Sequence, residues 1–145
     1  MTTKPFSPTL FQTNDLLGRK IVQKFFHSKN IDAQDNPDIY AVDLILFREG
    51  KKIGYAEVEV RHNWKTDEFP YDTLNVPQRK KKLLENDLPT YFFSVNCIET
   101  RMYVATDEVV LGSPLQENKN KYVASGEYFY KVPVGLCKMI KINNA

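Results

Sequence analysis

Between Ile39 and Phe47 the chain holds a single charge, Asp43, among nine residues. A polar turn, Arg48-Glu49-Gly50-Lys51-Lys52, separates this run from Ile53-Gly54-Tyr55-Ala56-Glu57-Val58-Glu59-Val60. The pattern predicts two hairpin-linked strands, over 39–47 and 53–61. A strand apolar on both faces belongs in a sheet covered on both sides. Asp43 is therefore expected in the interior or at the floor of a cleft, where an unpaired carboxylate costs several kcal/mol and needs a partner. In the second strand Glu57 and Glu59 share one face, and Ala56, Val58 and Val60 share the other. The two glutamates stand roughly 6.5–7 Å apart along that face. Asp43 joins them only if it opposes an odd-numbered residue such as Glu57 or Glu59, which requires an odd number of loop residues, for instance Glu49-Gly50-Lys51. An even loop puts Asp43 on the other face.

The remainder of the 145 residues reads as one domain, 1–145, with 42% hydrophobic and 26% charged residues, enough for a core of its own. A helix capped by Asn14 or Asp15 and running to about Ser28 carries Leu16, Leu17, Ile21, Val22, Phe25 and Phe26 at helical spacing. Asp32 to Asp38 has the chemistry of a loop. A long polar and aromatic connection, Asn63 to Val76, precedes a second helix over Pro77–Asn86, with the proline in its first turn. Strands follow over Thr90–Asn96 and Arg101–Thr106, then a helical turn at Asp107–Leu111, a polar loop from Gln116 to Lys121, a segment of mixed period to Val132, and a last strand within Val134–Ile142. The order predicts a mixed α/β (α+β) domain around one central sheet.

No apolar run reaches the roughly 18 residues of a membrane span. Met1–Pro8, read as a flexible arm, lacks the apolar stretch of a signal peptide. The expectation is a cytoplasmic, intracellular protein with no membrane partner. Cys97 and Cys137 match no zinc or redox spacing and are expected as buried thiols. The formal net charge is only +2, so a nucleic-acid partner must be read from local charge.

Local charge is concentrated in Pro77-Gln78-Arg79-Lys80-Lys81-Lys82. Four cations in a row at a helix start oppose the helix dipole, which suggests an external anion such as a phosphate backbone; the alternative is a solvated basic face. On a helix Gln78 shares a face with Lys81 or Lys82, and Lys81 is the preferred partner, with Lys80 left open. Arg61 continues the face of Glu57 and Glu59, and contacts either a phosphate or Glu59. His62 reads as a surface residue at a strand end. Trp64, Phe69 and Tyr71 either stack on bases or cover a core edge.

Magnesium prefers oxygen ligands and typically takes one or two carboxylates. A helix, an acid in one strand, a short turn, acid-x-acid in the next strand, then a helix bearing Gln and Lys, resembles the PD-(D/E)xK nuclease superfamily over residues 14–106. Asp43 matches the motif aspartate and Glu57 the acid opening the second half-motif. Glu59 stands where lysine is usual, so the sequence is similar to an acid-x-acid variant. The Pro37-Asp38 dipeptide lies in the loop before the strand. The resemblance implies a restriction-endonuclease-like core, a mixed sheet of about four to five strands flanked by helices. It implies a Mg2+- or Mn2+-dependent endonuclease hydrolysing phosphodiester bonds in DNA, with a homodimer as a common arrangement. Asp43, Glu57, the Val58 carbonyl and Glu59 would be the metal set, with Asp15 on the first helix a further acid. Glu59 would orient the attacking water or bind a second ion; Lys81, with Gln78, would stabilise transition-state charge; Arg61, Arg79, Lys80 and Lys82 would contact the nucleic acid. Against this stand a non-catalytic module of the same fold, its acids neutralised by Arg61 and the lysines, and an unrelated α/β enzyme or protein–protein adaptor.

Overall fold

The computed structural model describes the backbone of residues 8–120 and 123–142, with side chains over 16–117 and 127–142. Its elements are α1 (Pro8–His27), β1 (Asp32–Asp35), β2 (Leu44–Arg48), β3 (Lys51–Arg61), β4 (Thr73–Pro77), a 3-10 turn (Gln78–Lys80) leading into α2 (Lys81–Leu84), β5 (Thr90–Asn96), β6 (Arg101–Thr106), α3 (Asp107–Leu111), β7 (Leu115–Asn120), β8 (Val123–Pro133), and β9 (Lys138–Lys141) after a second 3-10 turn at Val134–Leu136. The fold is α+β. Six strands form one sheet in the order β1-β2-β3-β5-β6-β9, parallel only between β3 and β5. A second, antiparallel sheet has the order β4-β8-β7. The parallel pair requires a crossover, and this crossover carries β4 and α2 away from the large sheet and back.

Each face of the large sheet has its own apolar layer. On one, Val22 and Phe26 of α1 pack against Leu44, Leu46, Ala56, Val58, Phe93, Val95 and Met102. On the other, Phe92 and Ala105 meet Leu74, Val76, Leu84, Val110, Tyr130 and Val132. The helix lies close: a Cβ on Gly18 would stand 2.9 Å from a Val60 methyl and 3.2 Å from a Val58 methyl. Alternation along β3 and β5 sorts the residues, so Val58 and Phe93 face α1 while Glu57 and Phe92 face the second sheet.

The apolar run is covered on both sides as its composition requires, but it is not all strand. Extended pairing starts at Leu44, and Ile39 and Tyr40 are 82% and 85% exposed. The turn chemistry of Asn36-Pro37-Asp38 reaches further than expected. The Asp38 amide donates to Asn36 Oδ1, the Tyr40 amide to Asp38 Oδ1, and the Asn36 amide to the Asp43 carbonyl. The sheet has six strands instead of four to five, and its second face carries a small sheet where helices were expected. The helix expected over Pro77–Asn86 is reduced to one 3-10 turn and a single α turn, because Pro77 closes β4 at φ −58, ψ 137. Proline's fixed φ serves an extended strand end as readily as a first helical turn. α1 starts at Pro8, ahead of Asn14. Of the Met1–Pro8 arm, residues 1–7 lie outside the described residues. No helix among the described residues is long and apolar enough to cross a membrane.

Candidate functional site

The β2–β3 hairpin turns on two residues, Glu49 (φ 51) and Gly50 (φ 77), the positive pair of a type I′ turn. That is an even loop. On its own it would continue the pairing Arg48–Lys51 and Phe47–Lys52 until Asp43 opposed Ala56. The register instead shifts between Phe47 and Leu46, which pairs with Gly54 and leaves Ile53 as an extra residue. This β-bulge does what an odd loop was expected to do. Ile45 then opposes Tyr55 and Leu44 opposes Ala56, and the next position in this register sets Asp43 opposite Glu57.

The two acids hold each other through the backbone. The Asp43 amide donates to Glu57 Oε1 at 3.2 Å, and the Val58 amide donates to Asp43 Oδ2 at 2.8 Å. Lys80 Nζ completes the cluster, 2.6 Å from Glu57 Oε2, whose side chain is 4% exposed. Burial pushes the Asp43 carboxyl up from 3.8 to about 7; the neighbouring Glu57 charge adds to this, and the Val58 amide and Lys80 oppose it.

Lys80, read as a backbone-phosphate contact, is thus the lysine that meets the acids. Lys81 and Gln78 are exposed, and among the described residues neither makes a hydrogen bond or ion pair with Asp43 or Glu57. The helical-face argument for pairing them required one continuous helix. Lys80 closes the 3-10 turn, and its Nζ reaches the buried Glu57 carboxylate. Lys80 therefore points inward. Arg79 pairs at 3.7 Å with Glu127, and Lys82 is exposed on α2.

Glu59 and Arg61 form a separate unit. Arg61 Nη2 stands 3.5 Å from Glu59 Oε2, donates to the Asn75 carbonyl at 2.8 Å, and its Nε donates to Ser94 Oγ at 3.3 Å. With its side chain 11% exposed, Arg61 clamps β4 onto the large sheet instead of facing solvent. Trp64 is fully buried, stacked on Tyr103 at 5.3 Å, so it covers a core edge. Both cysteines are free and half-buried, and burial pushes the Cys137 thiol up to about 11. Asp15 falls on α1, with its side chain outside the described residues.

No group of three or more His, Cys, Asp or Glu that could hold a metal ion occurs among the described residues. Asp43 and Glu57 are two hard oxygen donors, the number of carboxylates magnesium typically takes. With both ionised, Lys80 offsets one of their charges and one remains, so the donor chemistry and the charge suit a hard divalent cation. Glu59 lies outside this pair. Along the same hairpin a cleft of about 460 Å3 runs past Tyr40, Ile45, Lys52, Tyr55, Lys82 and Asn86; its lining includes Val42, the residue before Asp43, but neither acid. It was not foreseen, because Tyr40 was read as part of a strand. Comparison of the chain with protein-family models, with curated proteins and with solved structures found no match in any of them.

Proposed function

We propose that the protein is a metal-dependent nuclease of the PD-(D/E)xK type, with a restriction-endonuclease-like core around β2, β3, β5 and β6, acting on phosphodiester bonds in DNA as an endonuclease. The observation that carries the reading is the contact of Lys80 with Glu57 inside a buried carboxylate pair. The resemblance expects lysine two residues after the second acid; this chain has Glu59 there and delivers an ammonium to the same acid from the crossover.

The roles follow from the contacts. Asp43 and Glu57 would hold Mg2+ or Mn2+, with the Val58 carbonyl as a further oxygen. Such an ion lowers the pKa of a bound water and stabilises charge on a phosphoryl oxygen. Lys80 places a fixed positive charge beside the acids, where charge develops on the phosphate. The Val58 amide orients Asp43, and the Asp43 amide orients Glu57. Glu59, tied to Arg61, positions β4 and through it the turn that carries Lys80.

The non-catalytic reading has one observation in its favour. Both Glu57 oxygens already meet protein donors, so the cluster could serve as a brace between β3 and the crossover. Cleavage of plasmid and branched DNA with magnesium, manganese or EDTA separates the two. Wild type cuts with either metal and not in EDTA, and Asp43→Asn and Glu57→Gln each lower the rate by roughly 10²–10³-fold. Wild-type rates in either variant, or no cleavage by wild type, would leave the brace as the better account.

A further inference from the structure

We propose that the cleft along the hairpin of the acid pair takes an unpaired nucleotide, so that the substrate is a nucleic-acid strand with a base free of its duplex next to the bond to be cut. This rests on the nuclease reading of Asp43, Glu57 and Lys80 and adds the substrate class.

The first support is the loop before β2. Its backbone is held by the Asn36 and Asp38 side chains and by the Asn36 amide on the Asp43 carbonyl. This ordered loop displays two adjacent large apolar side chains, Ile39 and Tyr40, to solvent. Asp38 also lines the cleft, but its carboxylate is turned onto the Tyr40 amide.

The second support is the lining. A volume of about 460 Å3 lies within the range of small-ligand clefts and is far too small for a double helix. Tyr40 offers an exposed ring, Lys52 and Lys82 offer charge, and Asn86, whose amide nitrogen donates to the Leu83 carbonyl and Thr90 Oγ1, offers its side-chain oxygen; Tyr55 lies in the lining with Lys52 over its ring. Those are complementary to a base face, a phosphate and a base edge. Aromatic stacking plus cations is how single strands are held without sequence preference. The Tyr55 hydroxyl donates to Asp87 Oδ1 at 3.3 Å, which fixes the ring, and Lys52 Nζ lies 5.6 Å from the ring centre.

The third support is position. Tyr55 opposes Ile45 in the hairpin, and the next pair on the same face is Asp43 with Glu57. Pairs so related are roughly 6.5–7 Å apart. A nucleotide in the cleft therefore has its flanking phosphate within reach of the acids.

The test is binding of the full chain, in EDTA so that nothing is cut, to three DNAs of one sequence: a single strand, a duplex with a short unpaired tail, and a blunt duplex. 2-Aminopurine in the unpaired segment reports stacking. The proposal expects the single strand and the tailed duplex to bind at least about 10-fold tighter than the blunt duplex, with quenched 2-aminopurine emission. Tyr40→Ala, an exposed change, should weaken both by about 10-fold and remove the quenching. The double change Lys52→Ala, Lys82→Ala should weaken binding and flatten its salt dependence. Equal or tighter binding of blunt duplex, an unaffected Tyr40→Ala, or no DNA binding at all would overturn it. Cleavage keeps the two claims apart. If wild type cuts blunt DNA and Tyr40→Ala changes nothing, the cleft proposal fails and the nuclease reading stands. If Tyr40-dependent binding occurs without any metal-dependent cleavage, the nuclease reading fails and the cleft stands.

Discussion

Asp43 sits in a place that does not suit an isolated charge. Its carboxyl is raised to about 7 by burial and by Glu57, so between the ordinary value of 3.8 and about 7 the folded protein holds a proton that the unfolded chain releases. The contribution of this group to stability without metal should therefore be fully present below pH 3.8, be lost as pH rises through this window, and stay lost above it. Asn in place of Asp43 keeps an oxygen for the Val58 amide and has no proton to lose. In EDTA at pH 8, Asp43→Asn should be more stable than wild type by about 1–3 kcal/mol, with the difference gone at pH 4. Urea unfolding at the two pH values measures it, and an Asn variant destabilised equally at both would show that Asp43 is not under this stress. The residue was legible because a lone charge in an apolar run must be explained. Lys80 was not, since its reach depends on a 3-10 turn whose presence over an α-helix is decided by where β4 ends.

Patterning exposed β3, β5 and β6 and the helix behind them, because each carries enough apolar side chains at one period to fix its faces. The second sheet was hidden. Thr73–Pro77 offers only Leu74 and Val76 to the core besides its proline, and Leu115–Asn120 is almost wholly polar. Such strands are recruited by partners far along the chain, through the pairing of β4 and β7 with β8. The bulge at Ile53 was also invisible, since the turn residues allow both an even loop and an odd one. The close approach of α1 to β3 makes its own prediction. Leucine is a far better helix former than glycine, yet Gly18→Leu should lower stability by about 1–3 kcal/mol, because the added atoms meet the β-branched Val58 and Val60. An unchanged or raised melting temperature would mean that the helix can move off the sheet.

The candidate site is assembled across layers that share no local sequence. Asp43 and Glu57 come from the hairpin of the large sheet, and Lys80 comes from the 3-10 turn that follows β4 of the small one, a strand held in place where Arg61 bonds the Asn75 carbonyl. The aspartate and the first glutamate could be read from spacing; the basic run could be noticed but not oriented. The most direct measurement is single-turnover cleavage at saturating DNA with magnesium for Lys80→Ala and Lys81→Ala. A charge that acts on the transition state lowers kcat, whereas one that only binds backbone lowers affinity. Lys80→Ala should lose roughly 10²-fold or more in the cleavage rate, and Lys81→Ala should cleave at the wild-type rate. If Lys80→Ala cuts as fast as wild type, or Lys81→Ala loses the rate instead, Lys80 does not fill the role of the motif lysine and the central claim is wrong.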